Sequence, residues 1–141
     1  MKLFLDTSSL LKLYHKEEGS EELVEMVLSA NALYLSSLAK LEFKSALWKK
    51  VRTKEIEMDA CQAVIQLFQD DYSQFSWVEQ DQQLNKEAES LIMKWGKEGL
   101  RALDAIQLAS AVTLRAETDM VYSTSDKLLH KLFVRENLAV R

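Results

Sequence analysis

The sequence predicts an α/β fold: a three-layer α/β/α sandwich in which a parallel sheet of about five strands lies between two layers of helices. Three observations predict it. Short apolar runs alternate with longer segments of helical periodicity, proline is absent, and glycine occurs only 3 times in 141 residues. Parallel neighbours are buried on both faces and need crossover connections, which produces this alternation. The same composition disfavours proline-rich linkers and all-β folds with many turns.

The strand candidates are short apolar runs that end at polar residues. They are residues 2–5, 32–35, 75–79, 120–123 and 138–140. The helix candidates carry apolar residues at spacings of three and four, which indicates one inward-facing side. They are residues 8–16, 20–31, a segment starting after residue 37, and residues 58–72, 81–95, 102–115 and 126–133. Strands and helices therefore alternate along most of the chain.

Three helix starts carry residues that favour N-capping. Ser20 precedes Glu21 and Glu22, Ser36 or Ser37 precedes the third helix, and Asp81 precedes the helix after the third strand. Their side-chain oxygens can accept hydrogen bonds from the free amides of a first helical turn. We therefore expect these serines and Asp81 to be N-caps.

The composition is that of one globular domain spanning residues 1–141, with 48% hydrophobic and 28% charged residues. The 22 acidic residues exceed the 18 basic ones, which gives a formal net charge of -4. This balance disfavours broad electrostatic coating of DNA or of an anionic membrane. If nucleic acid is the partner, it must be bound by a local cluster of positive charge.

Cysteine use and the amino-terminal segment favour a cytoplasmic protein. Cys61 is the single cysteine, and no cysteine and histidine spacing resembles a zinc site. The first apolar run meets Asp6 after three apolar residues, so it resembles neither a signal peptide nor a membrane span. We expect no membrane association.

Four carboxylates are predicted to meet at one edge of the sheet. Asp6 follows the first strand and Asp126 follows the fourth, while Glu42 and Asp104 lie near the starts of two helices. Crossover helices run antiparallel to the strands, so their first turns face the carboxyl ends of the strands. Ligand sites of open α/β sheets lie at that edge.

Each of these carboxylates also has a purely structural interpretation. Asp6 and Asp126, taken singly, suit a turn or a helix cap, and Asp104 suits the dipole of the helix that it begins. Glu42 and Asp104, however, stand among apolar residues without an evident local lysine or arginine partner. Charged groups in such surroundings are rarely left unpaired, which favours a bound cation.

The energetics of such a cluster favour a divalent metal. Two like charges 4 Å apart cost about 4 kcal/mol at an effective dielectric constant of 20, so converging carboxylates either take up protons or bind cations. Oxygen ligands without histidine or cysteine select Mg²⁺ or Mn²⁺. Because such ions activate water and stabilise charge on phosphate, the pattern points to phosphodiester hydrolysis.

Four blocks of the sequence resemble, in order, those of PIN domains of the VapC type. They are residues 4–14 with the Glu-Glu-Gly-Ser of residues 17–20, residues 37–47 containing Glu42, residues 103–111 containing Asp104, and residues 123–126. The resemblance covers essentially the whole chain. The first block and the Asp104 block are the most specific.

The resemblance implies a Mg²⁺- or Mn²⁺-dependent endoribonuclease that is the toxin of a toxin-antitoxin pair. Asp6, Glu42, Asp104 and Asp126 would then be the catalytic and metal-binding residues, and the hydroxyl of Thr124 would assist. A parallel five-stranded sheet, a homodimer, an RNA substrate and an antitoxin that blocks the acidic pocket are also implied. Where relatives often carry histidine, this chain has Gln107, which would alter the lining of the pocket and not the binding of metal.

Two other functions remain as alternatives. One is an inactive PIN-type scaffold that binds RNA or a protein. The other is a Mg²⁺-dependent phosphatase or a receiver-like phosphoacceptor, which also places aspartates at strand ends. The phosphatase is the weaker alternative, because Ser8 stands where a haloacid-dehalogenase motif needs a second aspartate and no lysine follows the last strand.

A basic stretch begins just before Glu42 and continues after it. It consists of Lys40, Lys44, Lys49, Lys50, Arg52 and Lys54. Two interpretations are open: the stretch guides RNA phosphates toward Glu42, or it is an ordinary solvated helix face.

Overall fold

A four-stranded parallel sheet forms the centre of the computed structural model, which describes all residues from Met1 to Arg141. The strands are β1 (Lys2–Leu5), β2 (Ala32–Ser36), β3 (Ser76–Val78) and β4 (Met120–Ser123), and their order across the sheet is β3-β2-β1-β4. In register, Leu3 of β1 lies between Leu33 of β2 and Val121 of β4. The predicted parallel sheet is confirmed.

The fifth predicted strand is reduced to an isolated bridge. Val140 pairs in parallel with Tyr122 of β4, whose amide donates to the carbonyl of Ala139 at 2.9 Å. The Arg141 amide donates back to the carbonyl of Tyr122 at 3.0 Å. The segment therefore extends the edge of the sheet beside β4 at a single residue, since the Leu138 amide just before it donates to the carbonyl of Phe133 and not to the sheet.

Seven helices connect the strands. They are α1 (Thr7–Tyr14), α2 (Ser20–Ser29), α3 (Ala39–Arg52), α4 (Met58–Asp70), α5 (Gln82–Trp95), α6 (Ala102–Thr113) and α7 (Lys127–Arg135), with 3-10 turns at Tyr72–Gln74, Gly96–Glu98 and Leu114–Ala116. None of these helices is both long enough and apolar enough to cross a membrane.

The two faces of the sheet are covered by separate hydrophobic cores. Successive side chains of β1 enter different cores. Phe4 packs with residues of α5, α6 and α7, whereas Leu3 and Leu5 pack with residues of α1 to α4. Successive side chains of a strand point to opposite faces, so this short apolar run supplies both cores. The three-layer α/β/α architecture is thereby confirmed.

The capping prediction for Ser20 is wrong. Helix α2 is preceded by Gly19, which adopts the left-handed conformation at φ 88°, and Ser20 is the first helical residue. Ser20 is buried, and its hydroxyl donates to the carbonyl of Lys12 at 2.8 Å while accepting from the Glu17 amide at 2.9 Å. The serine thus joins the end of α1 to the start of α2.

The capping prediction for Ser36 or Ser37 is also wrong, whereas the one for Asp81 is confirmed. Helix α3 begins after Leu38 without a side-chain cap, because Ser36 is fully buried at the end of β2 and accepts from the Leu38 amide at 3.3 Å. Asp81 accepts from the Leu84 amide at 2.8 Å at the start of α5.

A buried carboxylate holds α5 and α7 against the segment that leaves α6. Glu136, which is 6% exposed, accepts hydrogen bonds from Lys94 at 2.7 Å, from Trp95 at 2.9 Å and from Arg115 at 2.9 Å. Burial alone would raise the pKa of Glu136, but these donors outweigh it and the pKa is lowered. The charged form of Glu136 is therefore stabilised by folding.

We predict that Glu136→Gln lowers the free energy of unfolding by about 1–2 kcal/mol at pH 7, a modest value because both cationic partners are half-exposed. A lowered native pKa stabilises the fold above the ordinary pKa of about 4.3, and this stabilisation is lost as pH falls through the native pKa. The difference in free energy of unfolding between the wild type and Glu136→Gln, measured by urea unfolding, should therefore disappear below pH 4. Glu89→Gln, at an exposed position, is the control, and a gap that persists in acid would contradict the prediction.

Candidate active site at the carboxyl edge of the sheet

All four predicted carboxylates lie at the carboxyl edge of the sheet. Asp6 directly follows β1, and Asp126 comes three residues after the end of β4. Glu42 lies in the first turn of α3 and Asp104 in the first turn of α6. The edge rule for parallel sheets therefore places these side chains on one side of the molecule.

Asp6 is buried beneath this edge. It is 2% exposed, and its Oδ1 accepts from the Ser9 amide at 2.9 Å and the Ser8 hydroxyl at 2.8 Å, while Oδ2 accepts from the Thr124 hydroxyl. Burial raises the pKa of Asp6 to about 6, although these three hydrogen bonds oppose the rise. The charge of Asp126 adds to the rise.

Thr124 connects Asp6 to the loop that carries Asp126. The Thr124 hydroxyl donates to Asp6 and accepts from the Asp126 amide at 3.0 Å. Ser8 makes a second connection, because its hydroxyl accepts from the Ser125 amide at 2.9 Å. The supporting position predicted for Thr124 is thus a bridge between the ends of β1 and β4. Ser8 shares that task.

Both aspartates that follow strands are helix caps, as their structural interpretation predicted. Asp6 caps α1 through the Ser9 amide, and Asp126 caps α7 by accepting from the Leu129 amide at 2.8 Å. Capping uses Oδ1 in each case. Because a carboxylate has two oxygens and about four acceptor positions, a capping role leaves each aspartate with capacity for another partner.

Glu42 is held by two donors that the sequence did not reveal. Its Oε1 accepts from the Thr7 hydroxyl at 2.8 Å and from Nε2 of Gln107 at 2.8 Å, and Gln107 also donates to Thr7 at 2.9 Å. Gln107 is 2% exposed, and its Oε1 has no partner. Gln107 therefore does more than line the pocket: it fixes one oxygen of Glu42 and leaves Oε2 without a protein donor.

Asp104 is the one site carboxylate that accepts no hydrogen bond from the protein. It is half-buried in the first turn of α6. Burial raises the pKa of Asp104, and the charges of Asp126 and Glu42 raise it further, while Arg101 partly offsets them. Asp104 thus faces two other carboxylates without a compensating donor.

The carboxylate oxygens of this site are the type of ligand that a hard divalent cation prefers. Their positions, however, do not surround a common point. No group of three aspartate, glutamate, histidine or cysteine side chains is arranged to hold a metal ion. A physical reason is that Asp6, Asp126 and the Oε1 of Glu42 are already held by protein hydrogen bonds. The metal site at Asp6, Glu42, Asp104 and Asp126 therefore remains a prediction.

The edge is open and carries several shallow hollows. One of about 320 Å³ lies at Asp104 and Arg101, one of about 400 Å³ at Glu42, and one of about 230 Å³ at Asp126 and Thr124. The largest groove, of about 520 Å³, lies between α1 and α2 and includes none of the four carboxylates. Asp104, Glu42 and Asp126 therefore line separate open hollows and not one enclosed cavity.

Structural comparison identifies the fold. No protein-family model matches the sequence, and no curated protein sequence does. Among solved structures, VapBC2 of Rickettsia felis, bound to a promoter DNA fragment, matches with a TM-score of 0.67 at 16% identity, over 100% of this chain and 98% of that one. FitAcB of Neisseria gonorrhoeae matches with a TM-score of 0.70 at 16% identity, over 98% and 95% of the two chains.

A third match is VapC20 of Mycobacterium tuberculosis, described as a sarcin-ricin loop cleaving toxin. Its TM-score is 0.67 at 14% identity, over 92% of this chain and 94% of that one. These likenesses extend over nearly the whole length of both chains. The chain therefore has the PIN-like fold that its sequence blocks implied, in the form found in VapBC and FitAB proteins.

We predict that Asp6→Asn changes how stability depends on pH. An aspartate with a native pKa of about 6 and an unfolded pKa of about 3.9 destabilises the fold progressively as pH rises through that interval. Relative to the wild type, the variant should therefore gain about 2 kcal/mol in free energy of unfolding between pH 4 and pH 7. Denaturant unfolding in EDTA measures this gain. The same substitution at exposed Asp70 should give no such trend, and parallel profiles for Asp6→Asn and wild type would overturn the prediction.

A second prediction concerns Gln107. Gln107→Leu should destabilise the fold by about 1–2 kcal/mol at all pH values, because the half-buried oxygens of Thr7 and Glu42 lose a donor. Gln107→Glu should lower the stability of the fold more at pH 8 than at pH 5. The new carboxylate would lie beside Glu42, and a proton that relieves the repulsion between two adjoining carboxylates is bound more readily in acid. Thermal unfolding of both variants at the two pH values tests this difference. Equal losses for the Glu variant at pH 5 and pH 8 would refute the contact.

Proposed function

We propose that the chain is a Mg²⁺- or Mn²⁺-dependent endoribonuclease that acts as the toxin of a toxin-antitoxin pair. The observation that carries the proposal is Asp104, a half-buried carboxylate without a protein donor whose pKa is raised by Asp126 and Glu42 as well as by burial. Such a group of like charges is relieved by protons or by a cation. Oxygen donors of this kind favour Mg²⁺ or Mn²⁺.

The shared fold supports phosphodiester hydrolysis as the reaction. VapC20 is described as cleaving the sarcin-ricin loop, and a further similar structure, from Klebsiella pneumoniae, is a toxin-antitoxin complex. In this chain the predicted catalytic carboxylates occupy the carboxyl edge of the sheet, where ligands of α/β proteins bind. The open hollows along that edge suit a polymer substrate.

The proposed ligands differ in their access to the surface. Asp104, Asp126 and Glu42 are partly exposed and would hold the cation from the surface, whereas Asp6 would contribute from beneath. A divalent cation bound there would activate water and stabilise the charge that develops on the phosphate. The residues of the chain do the positioning: Thr124 and Ser8 fix Asp6, and Thr7 and Gln107 fix Oε1 of Glu42. Oε2 of Glu42 is then available to accept the proton of the attacking water.

One observation favours the alternative of an inactive scaffold that binds RNA or a protein, namely that no three carboxylates are grouped around a common point. The phosphatase alternative has no such support. A phosphoaccepting aspartate must reach its substrate, and Asp6 is 2% exposed with both oxygens accepting hydrogen bonds.

The proposal includes two protein partners: a cognate antitoxin and a second copy of the chain. The similar complexes named VapBC2 and FitAcB support the first. Solvent exposure of Met93 and Leu28, which are 86% and 80% exposed, is compatible with surfaces that a protein covers. A particle mass of 16.2 kDa by light scattering, the mass of one chain, would contradict the dimer.

We predict RNA cleavage in Mg²⁺ or Mn²⁺ that stops when EDTA is added. Asp104→Asn should lower kcat at least about 100-fold and weaken Mn²⁺ binding in calorimetry, because it removes the carboxylate that no protein donor satisfies. Asp70→Asn, on the exposed end of α4, is the control and should retain full activity. RNA binding without cleavage in any metal, or full activity of Asp104→Asn, would instead support the scaffold.

A further inference from the structure

The structure divides the basic stretch of α3 into cations with partners and cations without. Nζ of Lys40 lies 4.4 Å from the ring centroid of Trp77, and Nζ of Lys50 lies 3.9 Å from a carboxylate oxygen of Glu55. Lys49 and Arg52 are exposed and form no salt bridge. Lys44 and Lys54 form no salt bridge either, so four cations of the stretch lack an ionic or aromatic partner, and of these Lys49 and Arg52 are the two that are exposed on α3.

Lys49 and Arg52 line the same hollow as Glu42. This hollow of about 400 Å³ is lined on its apolar part by Leu41 and Leu103, which are 70% and 52% exposed. We call it the α3 groove and define it by Leu41, Glu42, Lys49, Arg52 and Leu103. It runs from the carboxylates to the carboxyl-terminal turns of α3.

The spacing of these residues sets the direction of the groove. Lys49 and Arg52 follow Glu42 by seven and ten residues, so they lie about 10 Å and about 15 Å further along the helix axis and near the same face. A single nucleic-acid strand that crosses the carboxylates and follows α3 therefore passes both cations within a few nucleotides.

The positive charges of the α3 groove favour a polyanion as its ligand. The carboxylate edge repels phosphate, and the chain as a whole carries a net charge of -4, so attraction must come from a local set of cations. Lys49 and Arg52 supply that set at one end of the groove. Leu41 and Leu103 supply apolar area near the carboxylates, where nucleobases next to the cleaved bond would lie.

We propose that the α3 groove binds the single-stranded RNA segment that flanks the cleaved bond. Lys49 and Arg52 contact its phosphates, and Leu41 and Leu103 contact its bases. The proposal rests on the proposed ribonuclease function and adds to it the path of the substrate. Phosphate contacts of this type strengthen binding without regard to base sequence.

The test compares a double variant, Lys49→Gln with Arg52→Gln, with the matched control Lys54→Gln. Lys54 carries the same charge in the same stretch but does not line the groove. Fluorescence anisotropy of short unstructured RNAs of different sequence, with Ca²⁺ in place of Mg²⁺, measures affinity over a range of salt concentrations. Cleavage of the same RNAs in Mg²⁺ gives KM and kcat.

We expect the double variant to bind every RNA about 5- to 10-fold more weakly, with KM raised in proportion and kcat within about twofold of wild type. The slope of log affinity against log salt concentration should become shallower by about 1.4, which is 0.7 for each lost phosphate contact. Lys54→Gln should match the wild type in all three measurements.

Unchanged affinity and salt slope in the double variant would overturn the proposal, while cleavage by the wild type would still stand. Loss of self-association or of protein binding with unchanged RNA affinity would also overturn it, by assigning the groove to a protein interface. If the wild type cleaves no RNA in any metal but the double variant still loses salt-dependent RNA binding, the groove is supported and the nuclease function fails.

Discussion

The buried carboxylate of Asp6 is the interaction on which the site and much of the sheet edge depend. Its oxygens accept from Ser8, Ser9 and Thr124, so the start of α1 and the end of β4 are joined at one point. A buried carboxylate is costly unless donors surround it, which explains why hydroxyl-bearing residues stand at these positions. The same donors hold Asp6 in place beneath the surface carboxylates.

The remaining carboxylates differ in how many hydrogen bonds they accept from the protein, and this difference determines which of them can take a further partner. Asp126 is engaged as a helix cap and Glu42 through one oxygen, whereas Asp104 has no protein donor. The repulsion between like charges is therefore least compensated at Asp104. Under the proposed function, a cation bound there would require a small rearrangement of these side chains, because no three of them are grouped around a common point.

The excess of acidic over basic residues in the chain can be compared with the number of carboxylates at the site. When Asp6, Glu42, Asp104 and Asp126 are set aside, the remaining acidic residues equal the 18 basic ones in number. The four site carboxylates thus equal the formal net charge of -4 in number. Lys49 and Arg52 line the same hollow as Glu42 but lie in the last turns of α3, so negative and positive charge occupy opposite ends of one groove.

The sequence by itself determined the layered α/β architecture and the edge at which the acidic residues lie. Both follow from local patterns: apolar strands such as Leu3 to Leu5 must be covered on two faces, and residues just after parallel strands share one edge.

Tertiary structure decided what depends on distant partners. Ser20 and Ser36 became buried linking residues instead of caps, and residues 138–140 formed one bridge instead of a strand. Gln107 reached Thr7 and Glu42 across separations of 100 and 65 residues, which no local pattern encodes. Periodicity reports how a segment faces the core, whereas hydrogen-bond partners are fixed only when the layers pack.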